Sequence, residues 1–232
     1  MPEPRSDTRE KLLDAALNHV PFDGWSATTF EAAIAETGIA PGLARGLFPR
    51  GAVDLAVAYH KRGDARMVAR LEQAELGEMR FRDRITAAVR YRLEAVEDRE
   101  LVRRGMALFA LPQYAPDGAR LIWDTCGLIW ESLGDSSDDI NWYTKRATLS
   151  GVYSSTVLYW LGDDSEGHAA TWAFLDRRIE DVMRFETLKA NIRNNETLSR
   201  VLKGPLDILG RIRAPKPRED MPGNWPGHSP GK

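Results

Sequence analysis

The chain has 232 residues, of which 28% are charged and 9% aromatic, and its formal net charge is -2. That length allows one sizeable core rather than two full domains, and the near-neutral balance excludes a general attraction to nucleic acid, so any basic surface must be local. The lone Cys126 excludes an intramolecular disulfide framework, and with no His or Lys beside it to activate it, it reads as a core thiol. No window reaches the ~18 apolar residues that a spanning helix needs. The start, MPEPRSDTRE, has neither signal-peptide nor transit-peptide character, which gives the expectation of a cytoplasmic chain.

Helical spacing dominates throughout and strand-like alternation between hairpin turns is hard to find, so the expected fold class is all-α. Asp7 and Glu10 have the spacing of a capping box, and Leu12, Leu13, Ala16, Leu17 and Val20 line one face until Pro21 and Gly24 end the helix. A second short helix follows Ser26, turns Phe30, Ala33 and Ile34 inward and stops at Gly38. Pro41 suits the first turn of a third helix, which completes helix-turn-helix spacing. Longer helices are predicted over 52–76, 79–97 and 100–111, before Pro112 and Pro116 break the pattern. The helix predicted over 117–134 is apolar on most sides and should be buried on more than one face. Another covers 141–161 and closes at Gly162; Ser165 caps a further amphipathic helix to about residue 187. A last ordered piece is predicted over 195–211. The nineteen residues from Ala214 hold five prolines and three glycines and are expected to be disordered. The organisation read from this is a helix-turn-helix-like part over 1–50, a larger helical part over 51–188, a basic amphipathic segment over 189–213 and a tail over 214–232.

Catalytic constellations are missing. His19, His60, His168 and His228 lack the helical partners usual for metal ligation, and Asp163, Asp164, Glu166 and His168 read as a solvated helix start. There is no Gly-x-Ser-x-Gly elbow, phosphate-binding glycine loop or dinucleotide fingerprint. The expectation is a protein that binds rather than reacts, with no metal and no catalytic residues.

Large aromatics supply the candidate binding features. Trp123, Gly127 and Trp130 place two indoles around a position without a side chain. On the helix over 141–161, Ala147, Gly151 and Ser155 form a small-residue ridge that either admits another helix or leaves room for a ligand. Trp142 and Tyr143 start that helix and, as adjacent positions about 100° apart, cannot both enter one core, so at least one ring should be exposed as an interface anchor. Near the C-terminus Leu198, Val201, Leu202, Leu206, Leu209 and Ile212 form an apolar stripe. Between Lys189 and Arg218 eight Lys or Arg stand against Glu196 and Asp207. Such a segment reads as interfacial membrane binding; docking on its own domain or on a neighbouring subunit is the alternative.

Four spaced elements carry a resemblance. They are Asn141 to Arg146 (Asn-Trp-Tyr-Thr-Lys-Arg), Tyr153 to Thr156, Asp163 to Ser165 and Thr171 to Leu175. In this register the chain resembles the lipid-binding accessory protein family of ubiquinone (coenzyme Q) biosynthesis, with weaker likeness towards both ends. The resemblance implies a TetR-like fold of about nine helices with an extra C-terminal amphipathic helix. It also implies a bound isoprenoid quinone or phospholipid and no other cofactor. Met106, Phe109, Trp123, Trp130, Tyr153 and Trp160 are the residues expected to line the lipid pocket. The dipeptide Trp142–Tyr143, with Asp139 and Ile129, would dock the di-iron hydroxylase acting late in ubiquinone synthesis. The C-terminal segment, joined through Asn191 to Asn195, would contact the membrane, which places the protein peripherally on the inner face of the cytoplasmic membrane.

The N-terminal layout, Thr8 to Leu55, is also similar to that of TetR-type repressors, and a ligand-responsive transcription regulator is the second reading. A structural adaptor that needs no lipid is the third. A repressor of this type usually carries paired tyrosines and a Lys where this chain has Arg45, Gly46 and Gly51, so no nucleic-acid partner is expected. TetR-like scaffolds commonly pair through late helices, so a homodimer is a further expectation.

Overall fold

The computed structural model describes residues 5–193. Among them the regular structure is helical throughout: α1 (Arg5–Asp23), α2 (Ala27–Thr37), α3 (Pro41–Leu47), α4 (Ala52–Gln73), α5 (Phe81–Glu94), α6 (Arg99–Phe109), α7 (Ala115–Ser132), α8 (Ile140–Leu161) and α9 (Ala169–Arg193), with a 3-10 turn at Glu166–His168 leading into α9. The all-α expectation holds. The amphipathic stripe Leu198, Val201, Leu202, Leu206, Leu209 and Ile212, and the tail over 214–232, lie outside the described residues.

Local chemistry sets most boundaries. The Ser26 side chain accepts from the Thr29 amide to cap α2, and Gly38, at φ 66°, ends it in the left-handed region that glycine adopts without strain. Asp98 and Asp139 cap α6 and α8 in the same way. Three expectations need correction. Asp7 does not cap α1, because the chain is already helical at Arg5 and Asp7 sits within the first turn. Pro21 does not end α1: the bond from the Gly24 amide to the Val20 carbonyl carries the chain past it to Asp23. Helix α9 continues to Arg193, well beyond 187, through good helix formers such as Leu188, Lys189 and Ala190, so Asn191 belongs to the helix and not to a connection.

Two cores form. One gathers Leu12, Leu13, Ala16 and Val20 of α1, Phe30 and Ala33 of α2, Ala44, Phe48 and the start of α4. The other gathers the far end of α4 (Met67, Leu71) with Ile85, Ala88 and Val89 of α5, Cys126 and Ile129 of α7, Leu149 and Val152 of α8, and Leu175 and Ile179 of α9. Helix α4 therefore belongs to both and sets their spacing. Helix α7 packs on α4, α5, α6 and α8, which explains why its wheel is apolar on most sides. Arg50, just before α4, ties the halves together through Asp54 and Asp117. Cys126 is free and fully buried, and burial pushes its thiol up to about 11, which leaves it unreactive.

Candidate functional site

A cavity of about 170 Å³ lies at the seam between the two cores. Trp25, Ala56 and Leu101 wall it from the first core; Leu93, Tyr153 and Val157 wall it from the second; Val102, Met106 and Phe109 of α6 and Leu121 and Ile122 of α7 complete it. Its rim includes two exposed apolar side chains, Leu158 at 60% and Met106 at 36% of full exposure. Such a concave, largely apolar space with a few polar groups is the usual form of a small-molecule site.

Those polar groups are organised. Arg92, buried, donates from Nε to Asp64 Oδ1 at 2.7 Å and from Nη2 to the His60 carbonyl at 3.0 Å. Thr125 Oγ1 stands 2.9 Å from the same Asp64 oxygen and 2.8 Å from His60 Nε2. Burial, and then the Arg92 charge, pull the His60 imidazole down to about 3, so it is neutral at physiological pH. Burial pushes the Asp64 carboxyl upward against the opposing pull of Arg92, and it pushes Tyr153 up to about 12. The arrangement can donate hydrogen bonds to a neutral guest; the Thr125 hydroxyl beside His60 is fully buried and does not line the cavity.

A second assembly sits where α7 meets α8. Gly127 leaves a gap on α7, and an added Cβ there would lie 3.4 Å from Arg146 Nε. Arg146, 2% exposed along its side chain, donates to the Trp142 carbonyl and to Glu131, and its guanidinium lies 3.9 Å from the Trp142 ring centroid. Trp142 in turn meets Tyr143 at 4.8 Å and Trp123 at 5.9 Å. Both rings of the dipeptide are half-buried, so they share exposure instead of dividing into one buried and one free. Beside them a groove of about 710 Å³ opens between α4, α7 and α8, lined among others by Lys61, Val68, Glu72, Trp123 and Trp142.

The six residues expected around one lipid pocket do not all meet. Met106, Phe109 and Tyr153 line the seam cavity. Trp123 lines the α7–α8 groove, and Trp130 lines a third crevice of about 220 Å³ with Phe81, Leu149 and Ile179. Trp160 is buried in the second core, edge-on to His168. The slot imagined between Trp123 and Trp130 is filled by Arg146. Of the small-residue ridge, Ala147 and Gly151 are exposed and Ser155 is half-buried, and among the described residues no helix packs over Gly151. Of the docking set, Asp139 is half-buried at the start of α8, but Ile129 is fully buried at 0% exposure and cannot touch a partner in this conformation; it supports α7 from beneath. Trp25, Tyr59, His60 and Arg92 were not anticipated in the cavity wall. The signal for Arg92 was available, because it falls on the apolar stripe of Ile85, Val89 and Val96.

The acidic run before α9 is a cap. Asp163 accepts from the Ser165 amide, the Thr171 amide and the Thr171 hydroxyl, which together hold its carboxyl well below the usual range. Two of the resemblance-bearing elements, Asp163 to Ser165 and Thr171, are thereby explained as the start of a helix.

An N-terminal helix-turn-helix unit under a helical body with a seam cavity defines a TetR-like fold. A TetR transcriptional regulator from Nitrosomonas europaea has this fold, with a TM-score of 0.63 at 21% identity over 75% of this chain and 97% of that one. The COQ9 family model matches residues 115–186, which covers α7, α8 and the start of α9. The chain is 35% identical over 185 residues to the mitochondrial ubiquinone biosynthesis protein COQ9 of Drosophila melanogaster, covering 78% of this chain and 56% of that protein. It is 31% identical over 225 residues to the Rattus norvegicus protein of the same name, covering 90% of this chain and 70% of that one. The chain belongs to the COQ9 family. It spans little more than half the length of the fly relative.

Proposed function

We propose that this chain is a non-enzymatic, lipid-binding accessory protein of ubiquinone biosynthesis. It takes an isoprenoid quinone precursor at the membrane and presents it to the di-iron demethoxyubiquinone hydroxylase. The observation that carries this reading is the apolar seam cavity with its exposed apolar rim at Met106 and Leu158, in a chain whose relatives are named as ubiquinone biosynthesis proteins. The cavity accepts one end of the lipid. The aromatic assembly of Trp142, Tyr143 and Trp123 at the α7–α8 junction offers a rigid surface for the hydroxylase, and the basic C-terminal segment supplies the membrane contact.

Among the described residues no helix is long and apolar enough to cross a membrane, and no group of three or more metal-ligating side chains occurs. The fold alone favours the second reading, a ligand-responsive regulator. Against it, α3 carries Gly42, Leu43 and Gly46 with Leu43 exposed, and Arg45 is paired with Glu31 at 2.9 Å. Hydroxylase capture by the Trp142→Ala, Tyr143→Ala double variant, measured beside ubiquinone yield, tests the docking role. Both should fall, whereas unchanged capture and yield would refute it.

A further inference from the structure

The third crevice, about 220 Å³, lies where α5 and α8 begin. Phe81 and Ile85 of α5, Trp130 of α7, Leu149 and Val152 of α8 and Val182 of α9 give it apolar walls. Phe81 packs on Trp130, with 5.7 Å between ring centroids, yet stays 45% exposed, and Met183, which also lines the crevice, stays 41% exposed. An apolar lip of this kind is stabilised by an apolar cover.

Charge selects the cover. The cations around the crevice are met: Arg80 and Arg82 by Asp83, Lys145 by Asp135, and Arg184 by Glu180. Glu75 and Glu78, just before α5, and Asp138, just before α8, are exposed and form no ion pair among the described residues. The surplus is negative. It repels an anionic bilayer, and a second copy paired through the same face doubles it, whereas a basic apolar segment is drawn to it.

This chain has such a segment within reach. Between Lys189 and Arg218 eight Lys or Arg stand against Glu196 and Asp207, around the apolar stripe that runs from Leu198 to Ile212. Helix α9 carries the chain from Met183 to Arg193, a rise of about 15 Å. The stretch from Asn194 to Val201 spans up to about 27 Å when extended, so the stripe can return to the crevice. A tether this short gives it an effective concentration on the order of millimolar.

We propose that the crevice is the docking site of the chain's own C-terminal stripe: away from a bilayer, apolar residues between Leu198 and Ile212 fill it, with their basic neighbours against Glu75, Glu78 and Asp138. A membrane needs the same apolar face, so the two contacts are alternatives and a bilayer draws the segment off the crevice. That exchange rests on the membrane role given to the segment above; the docking does not.

A benzophenone-bearing phenylalanine analogue in place of Phe81, in the full chain, tests both by photolysis and peptide mass spectrometry. Without vesicles, cross-links should join position 81 to peptides within residues 198–212, in a product of monomer mass. Leu202→Asp with Leu206→Asp, its thermal midpoint checked, should cut the yield at least about tenfold. The same analogue in place of Leu43, 48% exposed on α3, should not reach the segment. Vesicles of equal parts phosphatidylcholine and phosphatidylglycerol should lower the yield from position 81 at least about tenfold in the chain that floats with them. Cross-links to a second copy, cross-links confined to the helical body, or equal yields from positions 43 and 81 would overturn the docking and leave the membrane reading standing. A yield unmoved on vesicles that carry the chain would overturn the exchange. A chain that cross-links as expected yet never floats would refute the membrane reading and uphold the docking.

Discussion

The guanidinium of Arg146 lies over the Trp142 ring, 3.9 Å from its centroid, in space that Gly127 leaves free on α7. An arginine this deeply buried has to be satisfied, and it is, by the Trp142 carbonyl and Glu131. Arg146→Met removes the cation from the ring and from the buried Asp135 carboxylate 3.8 Å away, which costs about 2 kcal/mol. For a chain of this size that lowers the thermal midpoint by about 4–8 °C. Arg146→Lys should recover only part of this, because a lysine lacks the planar fork. A midpoint unchanged in Arg146→Met would mean that the stacked arrangement contributes nothing.

Two glycines should respond with opposite sign. A Cβ at Gly63 would lie 2.6 Å from Arg92 Nη1, and Arg92 cannot swing aside while Asp64 and the His60 carbonyl hold it. Gly63→Ala should destabilise by about 1–3 kcal/mol. On the exposed face of α8 nothing stands within 4 Å of a Cβ at Gly151. Gly151→Ala should stabilise by up to about 1 kcal/mol through helix propensity alone. Chemical denaturation of the two variants checks both signs.

Acid should weaken the fold in two stages. The His60 imidazole titrates near 3 in the folded chain against 6.5 when free, so as the pH falls between those values the unfolded chain binds a proton that the folded chain refuses. Stability then drops by up to about 1.4 kcal/mol per pH unit. Asp163 behaves as a depressed carboxyl: its contribution is present above the ordinary carboxylate range and is lost only as the pH falls below that range. His60→Gln should therefore flatten the dependence of the urea midpoint on pH between about 6.5 and about 4, with no effect on the steeper loss at lower pH. An unchanged slope in that window would assign it to other groups.

Helix α9 reaches Arg193, so a chain ending there keeps the helix that packs on α5 and α8. Removing residues 194–232 should leave the thermal midpoint within a few degrees while abolishing flotation with anionic liposomes. Flotation that survives the truncation would show that the membrane contact lies elsewhere.

Much of the fold was legible because its punctuation is local. Ser26, Gly38, Pro41 and Gly162 act on their immediate neighbours, and the apolar stripes of α5 and α7 report burial directly. The site was less legible because its parts meet only in space. Trp123 and Trp130 are seven residues apart on one helix, yet they face different crevices, and the space between them is taken by an arginine from α8. Arg92 is legible as a position on the apolar stripe of α5, but its partner is not. The arginine occupies a core position whose charge is affordable only because Asp64, on another helix, is opposite. Ile129 was assigned from a matching motif, which fixes neighbours in sequence but not the side of α7 that faces solvent.

The account turns on whether the seam cavity carries a lipid. Mass spectrometry of an organic extract of the purified chain, run against a mock purification, measures this directly. The account predicts close to one isoprenoid lipid per chain. A clean extract from protein that still unfolds cooperatively would contradict it.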